Sequence, residues 1–171
     1  MSERGTDKDT GTGKGLDMNE KPHIRLAEER DIPSILELYR ELTITTSQVE
    51  QSHSPSLADY RKVFAEIHAD PRQELLVVEN RGEVVGTIVL LVVPNLSHNA
   101  TPWALLENLI VTEKHRGRGL GKMLLEHAVG RARQSGCHMV ELCSDLRRKE
   151  AHRLYRSMGF ETQAHCFRLY F

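Results

Sequence analysis

The chain has 171 residues, of which 39% are hydrophobic and 27% are charged, and its formal net charge is −1. This length suits one well-buried domain and is too short for two. The even charge argues against duplex DNA or an acidic membrane as a partner held by bulk electrostatics, and the longest apolar run, residues 84–94, is too short to cross a bilayer. We therefore expect one globular domain with neither nucleic acid nor membrane as a partner.

The cysteines indicate a reducing compartment. Cys137, Cys143 and Cys166 are odd in number and form no CxxC pair, which favours free thiols in a cytoplasmic protein. No apolar segment typical of a secretory signal follows the first residue. Cys137, His138 and Cys143 lie on one short segment without a fourth ligand, so we predict no metal.

The first half of the chain contains a tail, one strand and two helices. Residues 1–21 are too polar to offset their ordering entropy, and we predict a disordered tail followed by a single domain over residues 22–171. The predicted elements are a strand at 23–27, a helix capped by Asp31 with Pro33 in its first turn, a polar loop at 43–54 and a helix at 56–69.

The second half alternates strands with helices. Strands are predicted at 74–79, 83–93, 103–111, 139–143 and 162–171, and helices at 121–134 and 149–158. Asn80-Arg81-Gly82 joins the first two strands as a hairpin. The order β-α-α-β-β-β-α-β-α-β predicts an α/β domain whose central strands have both faces covered.

A glycine-rich turn follows the strand at 103–111. Gly117, Gly119 and Gly121 precede an amphipathic helix, whose first turn presents unpaired N–H groups and the positive end of the helix dipole. Such a turn binds an anion, and glycines let the backbone approach a phosphate closely. The cationic side chains around this point are Lys114, Arg116, Arg118 and Lys122.

Two other nucleotide-binding motifs fit this turn poorly. A P-loop requires a hydroxyl residue after Gly121-Lys122, where Met123 stands. The glycines follow GxGxG rather than the GxGxxG of a dinucleotide fold. The remaining alternative is a plain glycine-rich turn with solvated arginines.

Two segments resemble the GNAT superfamily of N-acetyltransferases. Arg116-x-x-Gly119-x-Gly121 matches its [R/Q]-x-x-G-x-[G/A] motif, and residues 151–160 resemble its A-x-x-[F/L]-Y-x-x-x-G-F helix end. Residues 107–111 resemble the splayed, bulged fourth strand of that family. The element order agrees over residues 23–171.

The resemblance implies a fold, a co-substrate and a set of binding residues. The fold would be a mixed, mostly antiparallel sheet of six or seven strands with about four helices on both faces. Acetyl-CoA would bind as co-substrate and an amine as acceptor, without a metal. The pantetheine arm would lie along Leu109, Ile110 and Val111, and the pyrophosphate on the amides of Arg116, Gly117, Arg118, Gly119, Leu120, Gly121 and Lys122.

Two catalytic side chains are predicted, Glu107 from its own chemistry and Tyr155 from the resemblance, and each has a structural alternative. A carboxylate at Glu107 is expensive to bury unpaired, and desolvation would raise its pKa toward that of a useful general base. It could equally sit at a solvated gap or pair with an arginine. Tyr155 would protonate the departing thiolate, although an aromatic residue at helical spacing with Leu154 and Met158 is often part of a core.

The acceptor is not fixed by these motifs. We expect a primary amine of a small molecule; the alternatives are a protein lysine or N-terminus, or a module that binds acyl-CoA without turnover. His98 lies in the loop at residues 94–102, from which acceptor-binding residues could come. The oligomeric state is left open as well: dimers are frequent in the family, and the strand predicted at 162–171 could pair across the interface of a homodimer.

Overall fold

The computed structural model describes residues 21–42 and 54–169. The predicted tail therefore lies outside the described residues apart from residue 21, and so does almost all of the loop predicted at 43–54. In the described part of the chain, five strands form one sheet in the order β1-β2-β3-β4-β5. The first four strands pair antiparallel, and β5 pairs parallel with β4.

The bounds of the elements agree with most of the predicted spans to within one residue. The strands are β1 His23–Leu26, β2 Gln73–Asn80, β3 Glu83–Val93, β4 Trp103–Val111 and β5 Val140–Leu142. The helices are α1 Ile32–Leu42, α2 Leu57–Ala69, α3 Leu120–Gln134 and α4 Lys149–Ser157. The turn Ser97–Ala100 contains three residues with positive φ, His98, Asn99 and Ala100.

The helices cover both faces of the sheet, as predicted. On one face, α3 and α4 bury a large cluster centred on Leu124 and Leu125, which are fully buried. On the other face, α1 and α2 cover a smaller cluster that includes Ile35, Val77 and Val89. The central strands are apolar on both sides for this reason, and this explains their continuous Val, Leu and Ile runs.

A bulge in β4 changes which face its side chains meet. Glu107 pairs with Val89 and Ile110 with Thr87, so the two residues between them on β4 oppose one residue of β3. Asn108, within the bulge, has φ +56°. Leu106 before the bulge and Val111 after it both belong to the α3 cluster, although alternation would place them on opposite faces.

The pairing of β4 with β5 is short. It covers Ala104, Leu105 and Leu106 and ends there, opposite Leu142. The second half of β4 therefore has no partner strand on its outer edge among the described residues. An edge without a neighbouring strand can accept an extended ligand.

Two sequence-based predictions are wrong in detail. The strand predicted at 162–171 is absent from its described part, residues 162–169, which are exposed and irregular, so the described sheet has five strands and not the six or seven expected. Alternation alone cannot make a strand without a hydrogen-bonded neighbour, and β5, three residues long, offers little edge. Asp31 is not the N-cap of α1: it ends the 3-10 turn Glu29–Asp31, where its carboxylate accepts from Glu28 N and Arg25.

Candidate functional site

The glycine turn prepares the start of α3 for an anion. Gly117 and Gly119 have φ of +75° and +80°, which favours glycine, and a Cβ at either position would meet nothing within 4 Å. The first bond into the helix runs from Met123 N to Gly119 O, at 3.0 Å. The amides of Leu120 and its two successors therefore have no intrahelical acceptor and are available to an anion.

Arg116 braces the turn with its side chain. Its Nε donates to Val111 O at 3.0 Å, and its Nη2 reaches the Glu41 carboxylate, also at 3.0 Å. Glu41 additionally accepts from Thr112 Oγ1 at 2.7 Å and from Glu113 N at 2.8 Å. The backbone N–H of Arg116 donates to Glu113 O at 3.2 Å, so the free amides of the turn begin after Arg116.

The other cations of the turn are at the surface. Lys122 lies 3.6 Å from Glu126 in an exposed i,i+4 pair, which is a weak contact. Lys114 and Arg118 are exposed. These side chains add positive potential near the start of α3 without closing it.

The open edge of β4 is bridged at one point. Arg148 lies at the N-terminal end of α4, and its Nη2 donates to Leu109 O at 3.0 Å. Leu109 is half-buried beside the α3 cluster, whereas Ile110 and Val111 are buried. The carbonyl of Leu109 thus points into the gap rather than to a neighbouring strand.

Glu107 and Tyr155 face this gap from different elements. The Glu107 carboxylate has no hydrogen bond or ion pair among the described residues, and its side chain is half-exposed. Tyr155 is 7% exposed in the α3 cluster, with its ring 6.1 Å from that of Phe160. Burial raises the pKa of Tyr155, the charge of Glu107 adds to this effect, and Arg148 and the Ser144 hydroxyl oppose it. The two predicted catalytic residues are therefore close enough to interact electrostatically.

A second tyrosine lies beside the bulge. Tyr39 projects from α1 toward Asn108 and Thr87; burial raises the pKa of Tyr39, and its polar contacts with those two residues lower it again in part. Nothing in the sequence indicates this arrangement, because Tyr39 fits the apolar stripe of α1. Glu41 was missed for a different reason: its partners lie more than 70 residues away.

The remaining candidates from the sequence lie outside this gap or have other contacts. His98 stacks on His138 with ring centroids 4.4 Å apart. The neighbouring Cys166 thiol, together with burial, raises the pKa of Cys143 to about 11, so this thiol is protonated near neutral pH. A surface pocket of about 200 Å³ lies between α2 and β2, away from Glu107 and Tyr155.

The described residues contain neither a metal-ligand cluster nor a membrane-spanning helix. No group of three or more His, Cys, Asp or Glu side chains there could hold a metal ion. No helix of residues 21–42 and 54–169 is long and apolar enough to span a bilayer.

The gap suits a ligand with an anionic end and an extended arm. Ser144 Oγ is buried and lies beside the Tyr155 hydroxyl, so two polar groups meet at this end of the gap. The open positions above Gly117 and Gly119 leave room for phosphate oxygens. The free edge of β4 connects these two places. Coenzyme A has this shape and chemistry.

Comparisons with known proteins agree with this geometry. The acetyltransferase (GNAT) family model matches residues 33–160. An aminoalkylphosphonate N-acetyltransferase of Salmonella typhimurium is 35% identical over 106 residues, which are 62% of this chain and 68% of that one. A glucosamine 6-phosphate N-acetyltransferase of Trypanosoma brucei brucei is 28% identical over 148 residues, covering 85% of this chain and 93% of that one.

A solved structure is similar over nearly its whole length. The structure, described as an acetyltransferase from Agrobacterium tumefaciens str. C58, has a TM-score of 0.76 and 32% identity, covering 86% of this chain and 99% of that one. The chain belongs to the acetyltransferase (GNAT) family. It is an N-acetyltransferase with the α/β fold of that family, whose members use acetyl-CoA and an acceptor.

Proposed function

We propose that this enzyme transfers the acetyl group of acetyl-CoA to a primary amine of a small molecule by direct attack of the amine on the thioester. The observation that carries the proposal is the gap beside β4, which joins the anion-binding start of α3 to the unpaired Glu107 carboxylate and the buried Tyr155 hydroxyl. Each side of this gap has its own task in the reaction.

The donor binds along the gap. The amides of Gly117, Arg118, Gly119, Leu120, Gly121 and Lys122 hold the pyrophosphate, with Arg116 bracing the turn through Glu41 and Val111. Leu109, Ile110 and Val111 receive the pantetheine arm as an added strand. The pairing of β4 with β5 ends at Leu106, which supports this placement because the edge beyond it is open.

Glu107 accepts the proton of the attacking amine. An aliphatic amine is mostly protonated near neutral pH, and only its neutral form attacks a carbonyl. Glu107 precedes the bulge, so its side chain points away from the α3 cluster, toward α1. The acceptor therefore approaches from the side of α1, and the carboxylate takes its proton directly or through one water.

Tyr155 protonates the departing sulfur. Burial holds the pKa of Tyr155 above its ordinary value, so the hydroxyl keeps its proton throughout the pH range in which the amine reacts. Backbone N–H groups of the β4 edge stabilise the oxyanion that forms as the amine attacks. Base and acid thus act from opposite sides of one strand.

The relatives support a small acceptor. The Salmonella typhimurium and Trypanosoma brucei brucei proteins are named for an aminoalkylphosphonate and for glucosamine 6-phosphate, each a small amine carrying an anionic phosphorus group. Small amines of this kind are the first acceptors to test. A peptide lysine and a peptide N-terminus are the alternatives.

A thiol-release assay tests the proposal. Acetyl-CoA is offered with aminoalkylphosphonates, amino sugar phosphates, amino acids, and peptides with a free lysine or N-terminus. We expect release of free thiol with at least one small amine, and an acetylated product by mass spectrometry. Turnover confined to peptides would overturn the choice of a small acceptor, and binding of coenzyme A without turnover of any amine would overturn the proposed reaction.

A further inference from the structure

Arg148 brings a permanent positive charge into the gap beside β4. Its guanidinium is held by Leu109 O at 3.0 Å, and the side chain is partly buried. Arg148 is the N-cap residue of α4 and precedes Tyr155 by seven residues, about two helical turns.

This charge has no acidic partner in the described chain. The ion pairs of residues 21–42 and 54–169 do not include Arg148, whereas the adjacent Arg147 pairs with Asp145 at 2.8 Å. A partly buried cation without a counterion favours any anion that forms beside it. Glu107, on the other side of the gap, has no ion pair either.

The neighbours of Arg148 are groups that carry charge during transfer. The guanidinium lies near enough to Tyr155 to lower the pKa of its hydroxyl against the effects of burial and of Glu107. Ser144 Oγ is buried and lies beside the Tyr155 hydroxyl. A sulfur that reaches Tyr155 from the open edge of β4 passes Arg148, whose Nη2 is hydrogen-bonded to Leu109 O on that edge.

We propose that Arg148 is the electrostatic partner of the leaving sulfur, stabilising first the thiolate of coenzyme A and then the phenolate of Tyr155. This inference rests on the proposed function. The amine nitrogen bonds to the acyl carbon, the carbon–sulfur bond breaks, and its electron pair stays on sulfur. Tyr155 gives its proton to that sulfur, and water later restores the proton to the phenolate. One negative charge moves from sulfur to oxygen, and one guanidinium faces both atoms.

Calorimetric titration with coenzyme A and with desulfo-coenzyme A, which lacks the thiol, tests this assignment. The wild type, R148K and R148Q are compared from about pH 7 to about pH 9.5, across the ionisation of a free thiol. We expect the affinity ratio of coenzyme A to the desulfo analogue to rise about tenfold with pH in the wild type, because the bound thiolate is favoured. R148K retains most of this rise and R148Q loses it.

A purely structural role gives a different result. If Arg148 only braces β4 through Leu109 O, R148Q weakens both ligands by the same factor and the ratio follows the same pH course as in the wild type. That outcome would overturn the inference. A wild-type ratio that does not change with pH would overturn it as well.

A second measurement uses the protein without ligand. The ultraviolet absorbance of tyrosinate is followed on alkaline titration, and the contribution of Tyr155 is obtained by subtracting the Y155F variant. R148Q moves the Tyr155 transition to higher pH and R148K does not; an unchanged transition in R148Q contradicts the inference. The affinity ratio and the Tyr155 transition could both respond to R148Q as expected while no amine is turned over. That result would overturn the proposed function and leave the charge assignment of Arg148 intact.

Discussion

The carboxylate of Glu41 joins the C-terminal end of α1 to Arg116 of the glycine turn, with Nη2 and Oε2 3.0 Å apart. The same carboxylate accepts from Thr112 and from Glu113 N. A helix on one face of the sheet is thereby connected to the turn that opens a helix on the other face. The geometry of the glycine turn consequently depends on α1.

Replacing Glu41 should weaken both the fold and the binding of coenzyme A. E41A removes three acceptor contacts at a site that is about one-third exposed, and we expect a loss of about 1–2 kcal/mol in the free energy of unfolding. Chemical denaturation measures this loss, and calorimetry measures the affinity for coenzyme A. E37A is the matched control, because Glu37 on the same helix forms an exposed pair with Arg40; equal effects of E41A and E37A would contradict the prediction.

The Glu41 contacts also predict a pH dependence. Burial raises the pKa of Glu41, but the bonds from Thr112 and Glu113 N and the charge of Arg116 outweigh it, so the folded pKa lies below the ordinary value. This stabilisation is complete above the unfolded pKa of about 4.3 and is lost as the pH falls through the folded pKa. The free energy of unfolding should accordingly fall more steeply with decreasing pH in the wild type than in E41Q, and the two should converge below the folded pKa of Glu41. Identical acid profiles for the two proteins would show that the contacts do not favour the charged form.

Gly119→Ala should reduce cofactor affinity more than it reduces stability. A non-glycine residue at φ +80° is strained by about 1–2 kcal/mol, and a methyl group there also lies where the phosphates approach. We expect the Kd for coenzyme A to rise at least tenfold. Gly136→Ala is the control, because Gly136 has φ +75° with nothing within 4 Å but follows α3 at its far end. It should have a similar cost in stability and no effect on Kd.

Glu107→Gln should lower kcat by about 10²-fold to 10³-fold, the usual contribution of a general base. The residual activity should rise about tenfold per pH unit below the pKa of the amine, because only the neutral amine then reacts. Rate–pH profiles are measured for E107Q and for the control E83Q, which removes an exposed carboxylate of β3. They distinguish a general base at Glu107 from a structural role. A profile of E107Q parallel to that of the wild type would assign Glu107 a structural role.

Tyr155→Phe should lower kcat with little change in KM. The ring remains packed beside Phe160, so folding is preserved and only the proton donor is lost. A loss of about 10²-fold is expected, and it should shrink with a donor whose leaving thiol is more acidic. Tyr60→Phe on α2 is the control. A loss of similar size for all leaving groups would argue against proton donation.

The glycine turn and the helix that carries Tyr155 could be predicted from the sequence because each depends on local backbone conformation. Gly117 and Gly119 are required by positive φ, and Tyr155 lies on a short amphipathic helix whose period is visible in the chain. The family resemblance supplied the bulge at Asn108, which no periodicity would have revealed. The ends of the strands and helices could be predicted from Gly, Pro and Asp residues, which interrupt regular secondary structure.

The contacts that complete the site could not be predicted because they join distant parts of the chain. Glu41 meets Thr112 across 71 positions and Arg148 meets Leu109 across 39. In a single sequence both residues look like ordinary surface charges. The prediction of a strand at 162–171 was wrong because it used only the local alternation of residues. A strand also needs hydrogen bonds to a neighbouring strand, which the local pattern does not reveal.

The bulge at Asn108 determines both which residues of β4 enter the hydrophobic core and which way Glu107 points. Deleting one residue there would restore plain alternation, turning Val111 out of the α3 cluster or Leu106 and Glu107 onto the wrong faces. The length of β4 is thus held fixed simultaneously by the hydrophobic core and by the direction of Glu107. An insertion or deletion in β4 would disturb both the core and the direction of Glu107. A new acceptor preference would therefore have to evolve in segments that determine neither of these two features.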